Sequence, residues 1–231
     1  MKESVPQDIQ RSILYKYCMP EWLPVINDNK EAIAIKKGQP VFREADPVKG
    51  VFFILAGKVK IHQRWGAGKE LILRFANDGE MIGYRGLGKE RIYPVTATAL
   101  EDTRLLYISL SFFESTLRVN PTLTYALMDF YANELEETEK RMRNMVHMEV
   151  RGRIAEALLL LRDKFGMTDQ GFIDVKLTKQ DIASYVGTTY ETISRVTSDF
   201  EKEQLIKSNG KSIGILKERR LAGIARPEIS R

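Results

Sequence analysis

T-K-Q-D-I-A-S-Y-V-G-T-T-Y-E-T-I-S-R-V-T-S-D-F-E-K-E, residues 178–203, is the stretch whose reading decides the fold. Two short helices are read in it, each opened by a threonine with an acid three residues on: Thr178 with Asp181, and Thr188 with Glu191. That is capping-box spacing, in which the hydroxyl and the carboxylate each accept an otherwise unpaired amide hydrogen. Gly187 stands between the helices, where a sharp turn calls for a positive φ, and small Ala183 lets them cross closely. The pattern predicts a helix-turn-helix.

The second helix divides by period. Ile193, Val196 and Phe200 recur at steps of three and four and form an inward face, while Tyr190, Glu191, Ser194 and Arg195 fall together outward near the N-terminus. An arginine can donate two hydrogen bonds to guanine, a glutamate can accept from a cytosine amino group, and a serine can do either. These four are the candidate base readers, with Lys179, Thr188 and Thr189 as candidates for phosphate contact. The competing reading is an amphipathic helix pair in a core, with Glu191 only a cap. The residues after Phe200 favour the first. Q-L-I-K-S-N-G-K-S-I-G-I-L, residues 204–216, is two apolar-alternating runs around Asn209-Gly210, a pair suited to a type I′ hairpin turn. A hairpin directly after a helix-turn-helix is a wing, and its Lys207, Lys211 and Lys217 are candidates for a phosphate backbone.

Residues 151–216, from R-G-R-I-A through E-T-I-S-R to the wing, resemble the DNA-binding domain of the Crp/Fnr transcription regulators. E-x-x-S-R, here Glu191, Ser194 and Arg195, resembles the Fnr branch, which reads a TTGA-type half-site; the cAMP receptor protein branch has glycine before the arginine. Tyr190 departs from the arginine that the cAMP receptor protein carries there. The resemblance implies double-stranded DNA as partner, a homodimer, and RNA polymerase as a further partner.

At 231 residues, 43% hydrophobic and 29% charged, the chain has the composition of a soluble globular protein of two modest domains. No apolar run reaches membrane-spanning length and no charged-then-apolar leader opens the chain, so a cytoplasmic location is expected. Single Cys18 forms no internal disulfide and by itself holds neither an iron–sulfur cluster nor structural zinc, and His62 and His147 are read as surface or packing residues. Net charge is +5, and from Val150 onward Lys plus Arg number 15 against 11 Asp plus Glu, so the excess sits with the helix-turn-helix.

From Glu31 to about Ser109, runs rich in Val, Ile, Phe and Tyr are punctuated by glycine about every ten residues, which suggests an antiparallel sandwich or barrel. V-F-F-I-L-A-G-K-V-K-I and K-E-L-I-L-R-F-A-N-D-G-E-M-I-G resemble the cyclic-nucleotide-binding jelly roll. The resemblance implies an effector pocket after I-G, bounded by Gly83, Tyr84, Arg85, Tyr93 and, on a following helix, Thr138. The cAMP-binding members carry a glutamate in that turn and adjacent arginine and serine some ten residues on; this chain has Tyr84 and Arg85, then Tyr93 and Pro94. A buried phosphate without a cation is costly, so cAMP is not the expected effector. Arg85 and Arg91 are the candidates for a different anion, weighed against plain solvated loop arginines. No cofactor or metal is expected, and the cluster cysteines of Fnr-type oxygen sensors are missing.

Pro121 to about Val150 reads as one long helix capped by Asn120. Met128, Tyr131, Leu135, Thr138, Met142 and Met145 alternate at three and four residues, the seam of a two-stranded coiled coil, while Glu134, Glu136, Glu137, Lys140, Arg141 and Arg143 lie on the opposite face. With the resemblance, this is the dimer helix, and Thr138 its register-setting polar member. Residues 150–166 read as a further helix after a break at Gly152, a hinge candidate; the tail after Leu216 is left as a short helix or disorder.

The expected architecture is α+β: a cyclic-nucleotide-binding-type jelly-roll sensor domain (residues 1–120), a dimerisation helix (121–149) and a winged helix-turn-helix DNA-binding domain (150–231). The expected function is a homodimeric regulator reading an inverted-repeat operator under a non-cAMP effector. The alternative is a small-molecule sensor whose C-terminal domain docks a protein. Nothing suggests an enzyme: there is no nucleophile–base pair, Walker loop or metal-ligand cluster, and G-x-G at Gly66 to Gly68 is too short to mean phosphate binding.

Overall fold

The structure, a computed structural model, describes residues 7–66 and 68–225; the last six residues of the tail lie outside the described residues. They fall into two compact units, one reaching to Arg64 and including Leu73–Glu136, the other made of Trp65–Ile72 and the chain from Glu137 onward. Among the described residues no helix is long and apolar enough to cross a membrane.

The first unit opens with short helical pieces, among them α1 (Ile13–Tyr17) and α2 (Leu23–Asn29). Eight strands follow: β1 (Lys30–Ile35), β2 (Pro40–Phe42), β3 (Gly50–Ala56), β4 (Val59–Trp65), β5 (Lys69–Ala76), β6 (Met81–Ile82), β7 (Thr96–Ala99) and β8 (Thr103–Ser109). They make two four-stranded sheets, in the orders β1-β8-β3-β6 and β2-β7-β4-β5. β3 shows how the roll is held. Its side chains alternate, so Phe52 and Ile54 join one core with Val59, Ile61, Ala97 and Leu105. Val51, Phe53 and Leu55 join a second core with Leu14, Ile26, Phe113 and Leu123 from helical segments. A strand buried on both faces reads as the unbroken apolar run that the sequence shows here.

α3 (Leu110–Val119) leads directly into α4 (Pro121–His147), a helix of 27 residues that runs from the first unit into the second. Asn120 does not cap α4 with its side chain as expected. Its Oδ1 accepts from the Met19 amide at 2.9 Å and from Cys18 Sγ at 3.2 Å, and its Nδ2 donates to Thr116 O at 2.9 Å. A fully buried amide is satisfied by its surroundings, and here those are the N-terminal lead-in and the end of α3.

In the second unit, α5 (Val150–Phe165) is followed by α6 (Lys179–Val186), α7 (Tyr190–Lys202), the hairpin β9 (Ile206–Asn209) and β10 (Ser212–Ile215), and α8 (Glu218–Ala225). The first capping box is present: Thr178 Oγ1 accepts from the Asp181 amide at 3.0 Å and the Thr178 amide donates to Asp181 Oδ2 at 3.0 Å. Thr178→Ala should therefore lower stability by about 1 kcal/mol, read as a lower thermal midpoint of this unit. The second is shifted by one residue. Gly187 ends α6 at φ 75°, and the amides of Gly187 and Thr188 both return to Ala183 O, so Thr188 is spent in the turn. Thr189 is the cap, and it accepts from the Thr192 amide at 3.3 Å.

Two other sequence readings are corrected. Ser212 pairs with Asn209, so the hairpin turns on Gly210 and Lys211, with only Gly210 at positive φ. Gly152 lies inside the first turn of α5, after a break at Met148 and Glu149. Its role is close packing: a Cβ there would sit 3.1 Å from Ile224 O of α8. The tail is thus a helix as far as Ala225, held by buried Leu221 and Ala225.

Candidate functional site

α7 presents the face the sequence assigned to it. Ile193, Val196 and Phe200 are buried, joined by Thr197, whose hydroxyl donates to Ile193 O at 2.7 Å. Opposite them, Tyr190 is 49% exposed and the Arg195 side chain 71% exposed, paired with Asp199 one turn on at a loose 3.9 Å. Glu191 is exposed, and its own amide and the Thr189 hydroxyl hold its carboxyl below the ordinary range, keeping it a charged acceptor. Ser194 differs from its companions: its Oγ is buried and makes no hydrogen bond. Lys179, Thr189 and Lys211 are exposed, whereas Lys207 is engaged, donating to Gln170 O at 2.9 Å with its ammonium 4.5 Å from the Phe172 ring centroid.

In the first unit the turn after β6 begins at Gly83 with φ 86° and continues as a 3₁₀ segment, Tyr84–Leu87. Tyr84 is buried there amid charge. Arg74 on β5 donates to Tyr84 Oη at 2.9 Å and to Glu134 of α4 at 2.7 Å, and also pairs with Glu80. Tyr84 Oη donates to Glu134, Arg85 donates to the same carboxylate at 3.2 Å, and Tyr131 Oη donates to Tyr84 O at 2.7 Å. Burial alone would raise the Glu134 pKa, but Arg74, the Tyr84 hydroxyl and Arg85 outweigh it and hold the carboxyl below its ordinary value. Burial pushes Tyr84 up and Tyr131 to about 12, so both stay protonated donors.

This geometry does not fit a cyclic phosphate. Two guanidiniums face two carboxylates, and the donors that would meet an anion point at Glu134. Tyr93 belongs to the core instead, stacked on Phe42 with ring centroids 4.1 Å apart and donating to Gly50 O at 2.7 Å. Arg91 is paired with Glu114. Sequence reasoning missed Arg74 and placed Glu134 among solvated helix charges; a lone arginine in the otherwise apolar run L-I-L-R-F-A was the available signal.

Along α4 the outward stripe is narrower than the expected seam. Met128, Leu135, Met142 and Val146 are 60–71% exposed, the first three at steps of seven. Thr138 and Tyr131 are also exposed, although Tyr131 Oη donates to Tyr84 O, and Met145 leans on Gly187, its methyl 3.5 Å from where a Cβ would be.

A β-roll with a charged turn, a long helix with an apolar stripe and a winged helix-turn-helix define a DNA-binding regulator with a sensor-type domain. Similarity to known proteins agrees with the geometry. A cyclic nucleotide-binding domain model matches residues 32–120, and a Crp-like helix-turn-helix domain model matches residues 152–224. The cAMP-activated global transcriptional regulator CRP of Salmonella typhimurium is 32% identical over 178 residues, covering 75% of this chain and 83% of that protein. The transcriptional activator protein anr of Pseudomonas aeruginosa is 31% identical over 199 residues, covering 85% and 81%. In fold, the chain superposes on FixK2 from Bradyrhizobium japonicum with a TM-score of 0.77 at 22% identity, covering 85% of this chain and 98% of that one. The chain belongs to the Crp/Fnr family of transcription regulators. It is a DNA-binding regulator, and its relatives are regulators rather than enzymes; a C-terminal domain built only to dock protein is not favoured.

Proposed function

We propose that the protein is a homodimer that binds an inverted-repeat operator through α7, with a jelly-roll sensor domain (residues 1–120), a dimer helix (121–149) and a DNA-binding domain (150–231). The observation that carries the reading is α7 itself, a helix with Ile193, Val196 and Phe200 buried and Tyr190, Glu191 and Arg195 exposed at its N-terminal end. Arg195 donates to a guanine edge and Glu191 accepts from a cytosine amino group. Ser194 reaches its base by rotating outward. Its Oγ makes no internal bond, so that rotation breaks none. Lys179, Thr189 and Lys211 hold phosphates and set the register.

Two-fold symmetry then requires half-sites about one helical turn, ~34 Å, apart. The E-x-x-S-R pattern favours TTGA-type half-sites, with Tyr190 setting the flanking preference. The stripe Met128, Leu135, Thr138 and Met142 pairs with its copy. The effector is not cAMP, and RNA polymerase is the further partner through which promoter occupancy is read.

The test is a band-shift series on full-length protein, using an operator that the protein selects from random duplexes. Arg195→Ala should cost ~1–3 kcal/mol on the selected operator and relax base preference at one position of each half-site. Lys179→Ala should weaken all duplexes alike and reduce the slope of log K against log salt by about 1. If neither change alters binding, α7 is not the reading helix.

A further inference from the structure

Two arginines outside the reading face converge on the turn that launches it. Arg153 lies in the first turn of α5. Its Nη1 donates to Met148 O at 2.8 Å and to Met145 O at 3.2 Å, carbonyls at the C-terminal end of α4. Its Nε donates to Val186 O at 3.3 Å and its Nη2 to Gly187 O at 3.4 Å, carbonyls at the C-terminal end of α6. Arg141, on α4, donates to the next carbonyl back, Tyr185 O at 2.8 Å, and lies 4.5 Å from the Tyr185 ring centroid. Asn144 of α4 donates to both carboxylate oxygens of Glu156 on α5, at 3.0 and 2.9 Å. Met145 closes the group against Gly187.

The chemistry is that of helix C-termini. The last carbonyls of a helix have no intrahelical donor and carry its negative end, and a guanidinium supplies rigid, forked donors with a compensating charge. Here one guanidinium serves two helix ends at once. The second of those ends is Gly187, two residues before the cap Thr189 and four before Glu191.

We propose that Arg153, assisted by Arg141, is a positioning residue for DNA reading: it clasps the ends of α4 and α6 so that the start of α7 is held in the orientation that lets Glu191 and Arg195 meet base edges. The inference rests on the base-reading assignment above. A lysine at 153 keeps the charge but, as a single point donor, reaches only part of the four carbonyls.

The experiment compares full-length wild type, Arg153→Met, Arg153→Lys and Arg141→Met on the selected operator and on random-sequence duplex, across a salt series. Arg153→Met should lose on the order of tenfold in operator affinity while random-duplex affinity stays within about twofold, because phosphate contacts do not require an exact α7 orientation. Arg153→Lys and Arg141→Met should lie in between. Arg195→Ala should cost less in the Arg153→Met background than in wild type, a non-additivity that loss of stability alone does not produce. The clasp is overturned if Arg153→Met binds the operator as wild type does, if operator and random duplex weaken together, or if the two changes are additive. An Arg195→Ala change that leaves wild-type base preference intact removes the base-reading assignment, and the clasp falls with it.

Discussion

Leu135→Glu should convert the regulator to a monomer and abolish operator binding while leaving each chain folded. Leu135 sits midway between Met128 and Met142 on the exposed stripe of α4, at steps of seven in each direction. In a parallel two-stranded pairing each seam position faces its own copy, so this substitution sets two carboxylates against one another in an apolar strip and leaves both without a counter-charge. Leu135 is 60% exposed in the single chain, so the substitution removes little intramolecular packing and monomer stability should move by no more than ~0.5 kcal/mol. The consequence for DNA is large. A dimer engages two half-sites at once, and a monomer keeps one reading helix and half the phosphate contacts. Operator affinity should fall at least ~10³-fold, toward the level of non-specific duplex. Sedimentation equilibrium reads the first effect and band shifts the second. A variant that remains a dimer with wild-type operator affinity would take the seam away from this face of α4.

Legibility in the sequence depends on how far apart the interacting residues lie. The Thr178 box and the period of Ile193, Val196 and Phe200 are local, set within one or two helical turns, and both are found in the structure. Errors of one residue arose where two neighbours had equal local claims. Thr188 and Thr189 both qualify as a cap, and the decision is made by the Gly187 turn, which returns two amides to Ala183 O and uses Thr188 up. Asn209-Gly210 and Gly210-Lys211 compete likewise, and the pairing of Ser212 with Asn209 selects the second. The features that were not legible join distant segments. Arg74 and Glu134 are 60 residues apart, and Arg153 and Gly187 are 34 apart. On a helix wheel, Glu134 and Arg141 look like members of a solvated face; they are seven residues apart and both turn inward, toward different partners. Charge on a helix announces its sign, and only the tertiary fold supplies the partner.

Arg74→Met should destabilise the first unit by ~3–5 kcal/mol and lower its thermal midpoint by on the order of 10 °C. Arg74 is the cation shared by Glu80, Glu134 and the Tyr84 hydroxyl, and its side chain is only 15% exposed. Methionine keeps most of the volume, so the loss is electrostatic: the guanidinium that two partly buried carboxylates share is removed. The pH dependence has a definite sign. Glu134 titrates below its ordinary 4.5 in the folded protein, so its ionisation contributes stability that is present above that value and is lost as the pH falls through the depressed folded pKa. The gap between wild type and Arg74→Met should therefore narrow on acidification below about 4.5. A nucleotide that bound the folded state at about a hundred times its Kd would add ~2.7 kcal/mol. With Arg74, Arg85 and Tyr84 committed to Glu134, cAMP should leave the wild-type melting curve unchanged. Calorimetry of wild type and variant, with and without cAMP, reads all of these effects. A cAMP-dependent rise in the wild-type midpoint, or an Arg74→Met protein that melts with wild type, would mean that the Glu134 carboxylate does not hold the place of an anion in this roll.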